Sequence, residues 1–396
     1  MMGAGILTVN VGSSSLKLDL FAGVEQYTTA KTQITITNIG QSTSRIEVAT
    51  EGESRKIQQS VADHASAAAI ALDELNSAGQ LADVAGIGVR VVHGGERFHA
   101  PTVIDEELLA ELHRLVSIDQ QHMPLILEVI RIFRERLPGV VQVACFDTGF
   151  FHDIPQVAQT IPLPARYREK GLRRYGFHGL SYEYILESFR HIAGEQAANG
   201  RVVIAHLGSG ASLAALKNGR PVDMTMGFSP VSGIPMSTRS GDIDPSAIVY
   251  LARLGVDIEE YSHIINTQSG LLGVSGLSAD MLTLLENEAT HNGAREAVEL
   301  FCYSARKAIG SLSAAIGGID SLIFSGGMGE NAPKIRARIC QELAYLGIML
   351  DESRNRDHLE RISSDESRVG VHVIPTDESY ILRRSVIQIM EMPYVS

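Results

Sequence analysis

Cysteine is scarce in this sequence. Three stand among 396 residues, Cys145, Cys302 and Cys340, widely spaced and with no CxxC. An odd, scattered set argues against a disulfide framework or a cysteine-rich zinc centre, and a reducing cytoplasm is the expected setting. Lysine is nearly as scarce, seven of the 34 basic residues. None of these lysines follows a glycine, so the Walker phosphate loop GxxxxGK[ST] is absent. The sequence also lacks GxSxG, HExxH and GxGxxG. Those absences remove the fingerprints of a hydrolase elbow, a zinc protease and a Rossmann dinucleotide site. No apolar run approaches the length of a membrane span, and no basic residue precedes Lys17, so neither a span nor a signal peptide is expected. The formal net charge of −12 argues against a general binder of nucleic acid or anionic membrane, which needs a basic face.

Hydrophobic content of 44% with 20% charged residues fits a globular chain, and the length suggests two domains. Arginine carries most of the positive charge, and it is the better residue for holding carboxylate or phosphate through paired hydrogen bonds.

The pattern begins with two short β-rich runs, 5–11 and 16–21, joined by Gly12-Ser13-Ser14-Ser15. They read as a hairpin. Helical spacing follows at 60–78, 105–117 and 123–136, with strands at 87–92 and 140–146. The pattern then restarts: strand 201–206, turn Gly208-Ser209-Gly210, strand 213–216. A helix is expected over 294–315, a strand over 321–324 running into a glycine loop at 325–331, and a helix over 332–346. The stretch 351–368 is rich in charge and reads as a solvated excursion; a strand at 369–374 and a helix at 377–391 close the chain. Strands alternating with helices favour α/β layers, and the two glycine–serine hairpins suggest a duplication.

One glycine–serine turn is an ordinary polar turn. Three glycine loops at strand ends, near 12, 208 and 326, suggest a phosphate cradle, since glycine lets backbone N–H groups approach an anion. Arg90, His122, His178 and Arg239 stand beside such glycines or at strand and loop ends. Asp147 ends a buried run, and Glu378 opens a helix, where the helix dipole alone favours an acid. Two isolated acids suit Mg²⁺, which takes one or two carboxylates and completes its shell with phosphate and water.

Taken in order, these motifs resemble the acetate kinase family, within the superfamily of acetate and sugar kinases, Hsp70 and actin. The anchors are Asn10-x-Gly12-Ser13-Ser14-Ser15-x-Lys17, Arg90-Val91-Val92-His93-Gly94-Gly95, Phe146-Asp147-Thr148 and Arg174-Tyr175-Gly176-Phe177-His178-Gly179. Further along come His206-Leu207-Gly208-x-Gly210-Ala211-Ser212, Met226-Gly227-Phe228-x-Pro230, Thr238-Arg239-Ser240-Gly241-Asp242 and Gly327-x-Gly329-Glu330-Asn331.

The resemblance implies an α/β, duplicated actin-like (ribonuclease H-like) fold of two domains with the active site in a cleft between them. The domains are expected at 1–150 plus 380–396 and at 151–379. It implies a homodimer that moves the γ-phosphoryl group of ATP to a short carboxylate with Mg²⁺ or Mn²⁺. His178, Arg239, Arg90, Asp147 and His122 take the catalytic places. Asn10, Ser13, Ser15, Lys17, His206, Gly208, Ser209, Gly210, Asp280, Gly327, Met328, Gly329, Glu330 and Asn331 fall at the nucleotide. Arg90, Val92, Gln121, Phe177 and Pro230 fall at the acyl substrate, and Asn10 and Glu378 at the metal.

Some positions depart from the family pattern. Gln121 replaces a pocket leucine, Ser209 an asparagine, Leu282 an arginine beside the adenine, Ser237 a glycine and Tyr182 a histidine. The first three bear on acyl length and nucleotide preference. Propionate or butyrate remain alternative acceptors. A polyol or sugar kinase using Asp147 as base, and a nucleotide-driven module of the actin or Hsp70 type, are the competing readings.

Overall fold

The computed structural model describes residues 5–23 and 29–391. The described chain divides into two compact units, one running to His152 and resuming at Asp377, the other spanning Asp153–Thr376. The return at Asp377 places Glu378 in the first unit, whereas the sequence reading left it in the second.

In the first unit, strands β1 (Gly5–Val11), β2 (Ser15–Phe21), β3 (Thr32–Thr37), β4 (Ser44–Thr50), β5 (Glu53–Gln59), β6 (Val84–Val91), β7 (Thr102–Val103) and β8 (Val141–Phe146) form one sheet. Their order is β5-β4-β3-β2-β1-β6-β8-β7. The β1–β2 hairpin pairs Asn10 with Lys17, so both side chains stand on one face. Along β2, Leu16, Leu18 and Leu20 are buried and Lys17 is exposed, the period-two signature of a strand with one face in the core. Strand β6 runs parallel to β1, and β8 parallel to β6. Asn10, Arg90 and Asp147 therefore come to the same, C-terminal, end of three neighbouring parallel strands, where open α/β sheets bind ligands.

Helix Glu378–Glu391 lies on this sheet through buried Ile381, Leu382 and Val386. Gly88 makes the close approach possible: a β-carbon there would sit 2.9 Å from the Leu382 carbonyl oxygen. The packing carries Glu378 to the strand ends.

In the second unit, β9 (Arg201–Leu207), β10 (Ala211–Lys217), β11 (Arg220–Met224), β12 (Ser321–Ser325) and β13 (Gly370–Val373) are ordered β11-β10-β9-β12-β13. The plan repeats β3-β2-β1-β6-β8: an antiparallel run of three, then two strands parallel to the first. Helix Asn292–Ile316 covers the sheet with Val298, Phe301, Ala305, Ile309 and Leu312 at helical spacing.

Three expectations need correction. The glycine loop at 326–331 is a short helix, and the single helix expected over 332–346 is Pro333–Cys340 followed by a 3-10 turn at Ala344–Leu346. Pro333, which lacks an N–H, starts a new helix rather than continuing the old one. The excursion at 351–368 is anchored: Asn355, Ile362 and Ser363 are buried, and bridges tie Leu350 to Ser363 and Arg361 to His372.

The fold also predicts acid sensitivity. Burial holds His93 and His372 down at about 4, against a usual 6.5, with Asp119 opposing the shift at His93 and Arg361 adding to it at His372. Between pH 6.5 and 4 the unfolded chain binds protons that these folded imidazoles refuse, so stability falls as pH is lowered through that window. Each site contributes up to about 3 kcal/mol. Asp147, pushed up to about 6, works in the opposite direction. In His93→Asn the loss of stability on acidification from pH 6.5 to 4, read by urea unfolding, is expected to be smaller than in the wild type; an unchanged loss would contradict the assignment.

Candidate active site

Arg90 is the hub of the first unit. Its Nε lies 3.0 and 3.1 Å from the two Asp147 carboxylate oxygens, and its Nη2 lies 2.6 Å from Oδ2. Its Nη1 donates to Asn10 Oδ1 at 2.9 Å, and Asn10 Nδ2 donates to Glu378 Oε2 at 2.6 Å. Glu378 Oε2 also stands 3.5 Å from Arg90 Nε. Burial pushes the Asp147 carboxyl up, Arg90 pulls it back and Glu378 adds a further push, for a balance of about 6. Burial works against the charge on Arg90, but Asp147 and then Glu378 outweigh it and hold the guanidinium above its ordinary value. The pair is an ionised couple at neutral pH.

His122 sits beside this group, at the start of helix Met123–Arg136. The Asp119 carboxylate accepts from its backbone N and faces its Nδ1, all at 3.0 Å. Asp119 was not singled out in the sequence; its signal is the Asp-x-x-His spacing ahead of a helix. Burial penalises the Asp119 charge, but the His122 hydrogen bond and charge hold its carboxyl below the usual value. Val92 is buried, Gln121 half-buried and Ser15 half-buried, while Ser13 and Lys17 are exposed.

In the second unit, His178 occupies the residue before helix Gly179–Ala193 with φ +63, a left-handed conformation that a non-glycine residue adopts at a cost of about 1–3 kcal/mol. Its ring centroid lies 4.8 Å from that of His206. Its Nδ1 lies 2.9 Å from Ser212 Oγ. Gly210 stands in front of the imidazole: a β-carbon on it would be 3.1 Å from His178 Nε2 and 3.6 Å from Arg239 Nη1. The imidazole and the guanidinium thus converge on one point. Arg239 Nη1 also donates to the Pro230 carbonyl at 3.2 Å, and Phe177 and Pro230 are buried nearby in sequence to His178 and Arg239.

Gly208, Ser209 and Gly210 form the β9–β10 turn, closed by Gly208 N–H donating to the Gly210 carbonyl. Across β9 and β12, His206 is registered with Ser325, so the turn and the helix Gly326–Asn331 emerge from neighbouring strands. Gly327 and Asn331 are exposed, Met328 half-buried and Gly329 buried. Two side chains of this segment serve the segment itself: Glu330 Oε1 accepts from Gly326 N–H and Thr376 N–H, and Asn331 Nδ2 donates to the Gly327 carbonyl. Asp280 is exposed and caps helix Met281–Asn287 by accepting from Thr283 N and Oγ1.

A further residue escaped the sequence reading. Arg336 is fully buried and donates to the carbonyls of Gly329, Glu330 and Asn355 and to Asn355 Oδ1. It pins the end of the glycine-rich helix to the 351–358 segment. An arginine in an -Ile-Arg-Ala-Arg- run looks like any solvated helix residue until the fold buries it.

The chain matches the Acetokinase family over residues 5–384. The chain belongs to that family. Similar curated proteins include an acetate kinase of Rhodopseudomonas palustris, 39% identical over 391 residues, covering 96% of this chain and 97% of that protein. A propionate kinase of Citrobacter rodentium is 41% identical over 392 residues, covering 97% and 96%. Among solved structures, an acetate kinase from Porphyromonas gingivalis superposes with TM-score 0.87 at 33% identity, covering 98% of this chain and 100% of that one. A propionate kinase from Francisella tularensis gives TM-score 0.90 at 32% identity, covering 97% and 99%. The duplicated actin-like α/β fold expected from the motifs is thus the fold of this family. Among the described residues no helix is long and apolar enough to cross a membrane.

Proposed function

We propose that the chain is a phosphotransferase with a carboxylate acceptor, carrying the γ-phosphoryl group of ATP to acetate and forming acetyl phosphate and ADP, reversibly. Asp147 carries the choice of acceptor. An alcohol needs a general base within reach of its proton. Asp147 has only 1% of its side chain exposed, and both its oxygens face the Arg90 guanidinium, so it is placed to fix that arginine. A carboxylate substrate, with a pKa of about 4–5, is already ionised at neutral pH and needs no base.

The acetate oxygen attacks the γ-phosphorus, the bond to the bridging oxygen breaks, and ADP departs; no proton moves. The protein's task is to bring anions together and to stabilise charge on the equatorial oxygens. In this reading Arg90 holds the carboxylate, with Asp147 fixing the guanidinium and Val92, Gln121, Phe177 and Pro230 around the acyl group. Arg239 and His178 donate to the phosphoryl group in flight, with His122 in support. Asn10, Ser13, Ser15 and Lys17 contact phosphate; His206, the Gly208–Gly210 turn, Asp280 and the backbone of 327–331 hold the nucleotide.

Asn10 and Glu378 are the residues that would hold Mg²⁺ or Mn²⁺: Glu378 offers a carboxylate oxygen, and Asn10, which here turns Nδ2 to Glu378 and Oδ1 to Arg90, would turn its amide oxygen to the cation. When bound there, the cation neutralises charge on phosphate oxygens. Among the described residues no group of three His, Cys, Asp or Glu side chains forms a metal cage, in keeping with a shell completed by phosphate and water. A cytoplasmic homodimer belongs to the same reading; the exposed apolar Val249, Tyr250, Leu254 and Ile258 are the residues a second copy would cover.

Propionate is the second reading, favoured by the 41% identity to the Citrobacter propionate kinase. ADP formation from MgATP should require a carboxylate, with kcat/KM highest for acetate, lower for propionate and butyrate, and nil for glycerol. Turnover with glycerol and with no carboxylate would overturn the proposal.

Gly210→Ala offers a finer test. The backbone accepts alanine there, but the methyl group would enter the space before His178 Nε2 and Arg239 Nη1. We expect kcat to fall about 10–100-fold, as displacements of this size do, with Tm nearly unchanged. A wild-type kcat would place the reacting phosphoryl group elsewhere.

A further inference from the structure

Ser212 joins His178 to a residue that lies apart from the reaction. Its Oγ is 2.9 Å from His178 Nδ1 and 2.7 Å from the Tyr182 hydroxyl. All three residues are buried, Ser212 and Tyr182 completely. The geometry follows from two local rules. His178 and Tyr182 are four residues apart at the start of helix Gly179–Ala193, so they stack on one face. Ser212 is registered with His206 across the β9–β10 hairpin, whose ring neighbours those of both His178 and Tyr182.

The direction of donation along this chain sets which ring nitrogen of His178 carries hydrogen. Either hydroxyl can donate across the Tyr182–Ser212 contact, and the phenol is the more acidic of the two; the direction that leads inward is Tyr182 O–H to Ser212 Oγ. Burial pushes the Tyr182 phenol far above its ordinary value, so it keeps that proton. In that direction the single Ser212 proton goes to His178 Nδ1, which is then the unprotonated nitrogen. The ring hydrogen is left on Nε2, the atom that faces Gly210 beside Arg239.

We propose that Tyr182 and Ser212 are positioning residues that fix His178 as an Nε2–H donor, so that the imidazole presents a hydrogen and not a lone pair to the phosphoryl group. The relay also survives protonation. If His178 gains a second proton, Nδ1–H donates to Ser212, Ser212 donates to the Tyr182 oxygen, and Nε2–H still faces the same point. A hydroxyl is well suited to this place because it can reverse; a fixed donor or acceptor cannot. Tyr182 stands where the family pattern has a histidine, so the outer end of the relay is this chain's own.

This inference rests on the proposed role of His178, and its test separates the two. The full-length protein, without substrate, is labelled with ¹⁵N-histidine, and long-range ¹H–¹⁵N correlation reads each tautomer; His178→Asn assigns the His178 signals. The wild type should show the Nε2–H pattern. Ser212→Ala should populate Nδ1–H and lower kcat about 10–100-fold, with KM for acetate and ATP within about twofold. Tyr182→Phe, which deletes a single oxygen, should act in the same direction with a smaller loss, and it carries the test should Ser212→Ala not fold. An unchanged Nε2–H pattern in the folded variants, or the Nδ1–H pattern in the wild type, overturns the relay. Absence of acetate-dependent turnover in the wild type overturns the functional reading and leaves the tautomer result standing.

Discussion

Arg239→Ala should lower kcat by at least about 10³-fold, because an arginine that stabilises a transferring phosphoryl group is worth about 10³–10⁵ in rate. That corresponds to about 4–7 kcal/mol of barrier. The stability cost should be small. The hydrogen bond from Arg239 to the Pro230 carbonyl, at 3.2 Å, contributes on the order of 1 kcal/mol. Arg239→Lys keeps the charge but loses the planar fork, so it should recover only part of the rate. Steady-state kinetics beside thermal melts separate these quantities. A folded alanine variant with near-normal kcat would remove Arg239 from the reaction.

Arg90→Met should act on stability as well as on rate. Asp147 has only 1% of its side chain exposed, and Arg90 is its ion-pair partner at 2.6 Å. Removing that partner strands a buried carboxylate, which costs about 3–5 kcal/mol. The sign with pH follows. Without Arg90 the Asp147 carboxyl rises further, and a protonated acid carries no charge to strand, so the loss should be smaller at pH 5 than at pH 8. Adding Asp147→Asn should restore most of the stability without restoring turnover, since the guanidinium that holds the substrate is still missing. Urea unfolding and acetate-dependent ADP release decide the matter. A stable single variant, or an active double variant, would show that the couple is not organised as described.

These two arginines also show what was legible in the sequence. Glycine–serine turns after short strands, repeated at 12 and 208, revealed the duplication, because hairpins and turn residues are local signals. Helix 106–115 was legible for the same reason: Asp105 caps it, accepting from Leu108 N–H. Strands β3–β5 were missed. All seven residues of β5 lack a buried position, so no apolar alternation marks it, and its pairing with β4 rests on the backbone ladder with an exposed Lys56–Glu47 ion pair. The glycine-rich helix 326–331 was hidden by its composition; its first N–H is satisfied by the Glu330 carboxylate from within the segment.

In the site, residues carried by motifs were found, while their partners across the chain were not. Asn10 and Glu378 are 368 positions apart and meet only because the last helix packs on β6. Ser212 stood inside an anchor motif with no role until the hairpin register and helix 179–193 placed it under His178. Arg336 became distinctive only once buried. Local chemistry is written in neighbours; electrostatic partnership depends on packing.

The most direct test of the central claim is to trap the product. Protein, MgATP and acetate are incubated with hydroxylamine, which converts an acyl phosphate to a hydroxamate. The carboxylate-acceptor reaction predicts acetohydroxamate in step with ADP, and its loss in Arg239→Ala. ADP formation with no hydroxamate from acetate, propionate or butyrate would contradict it.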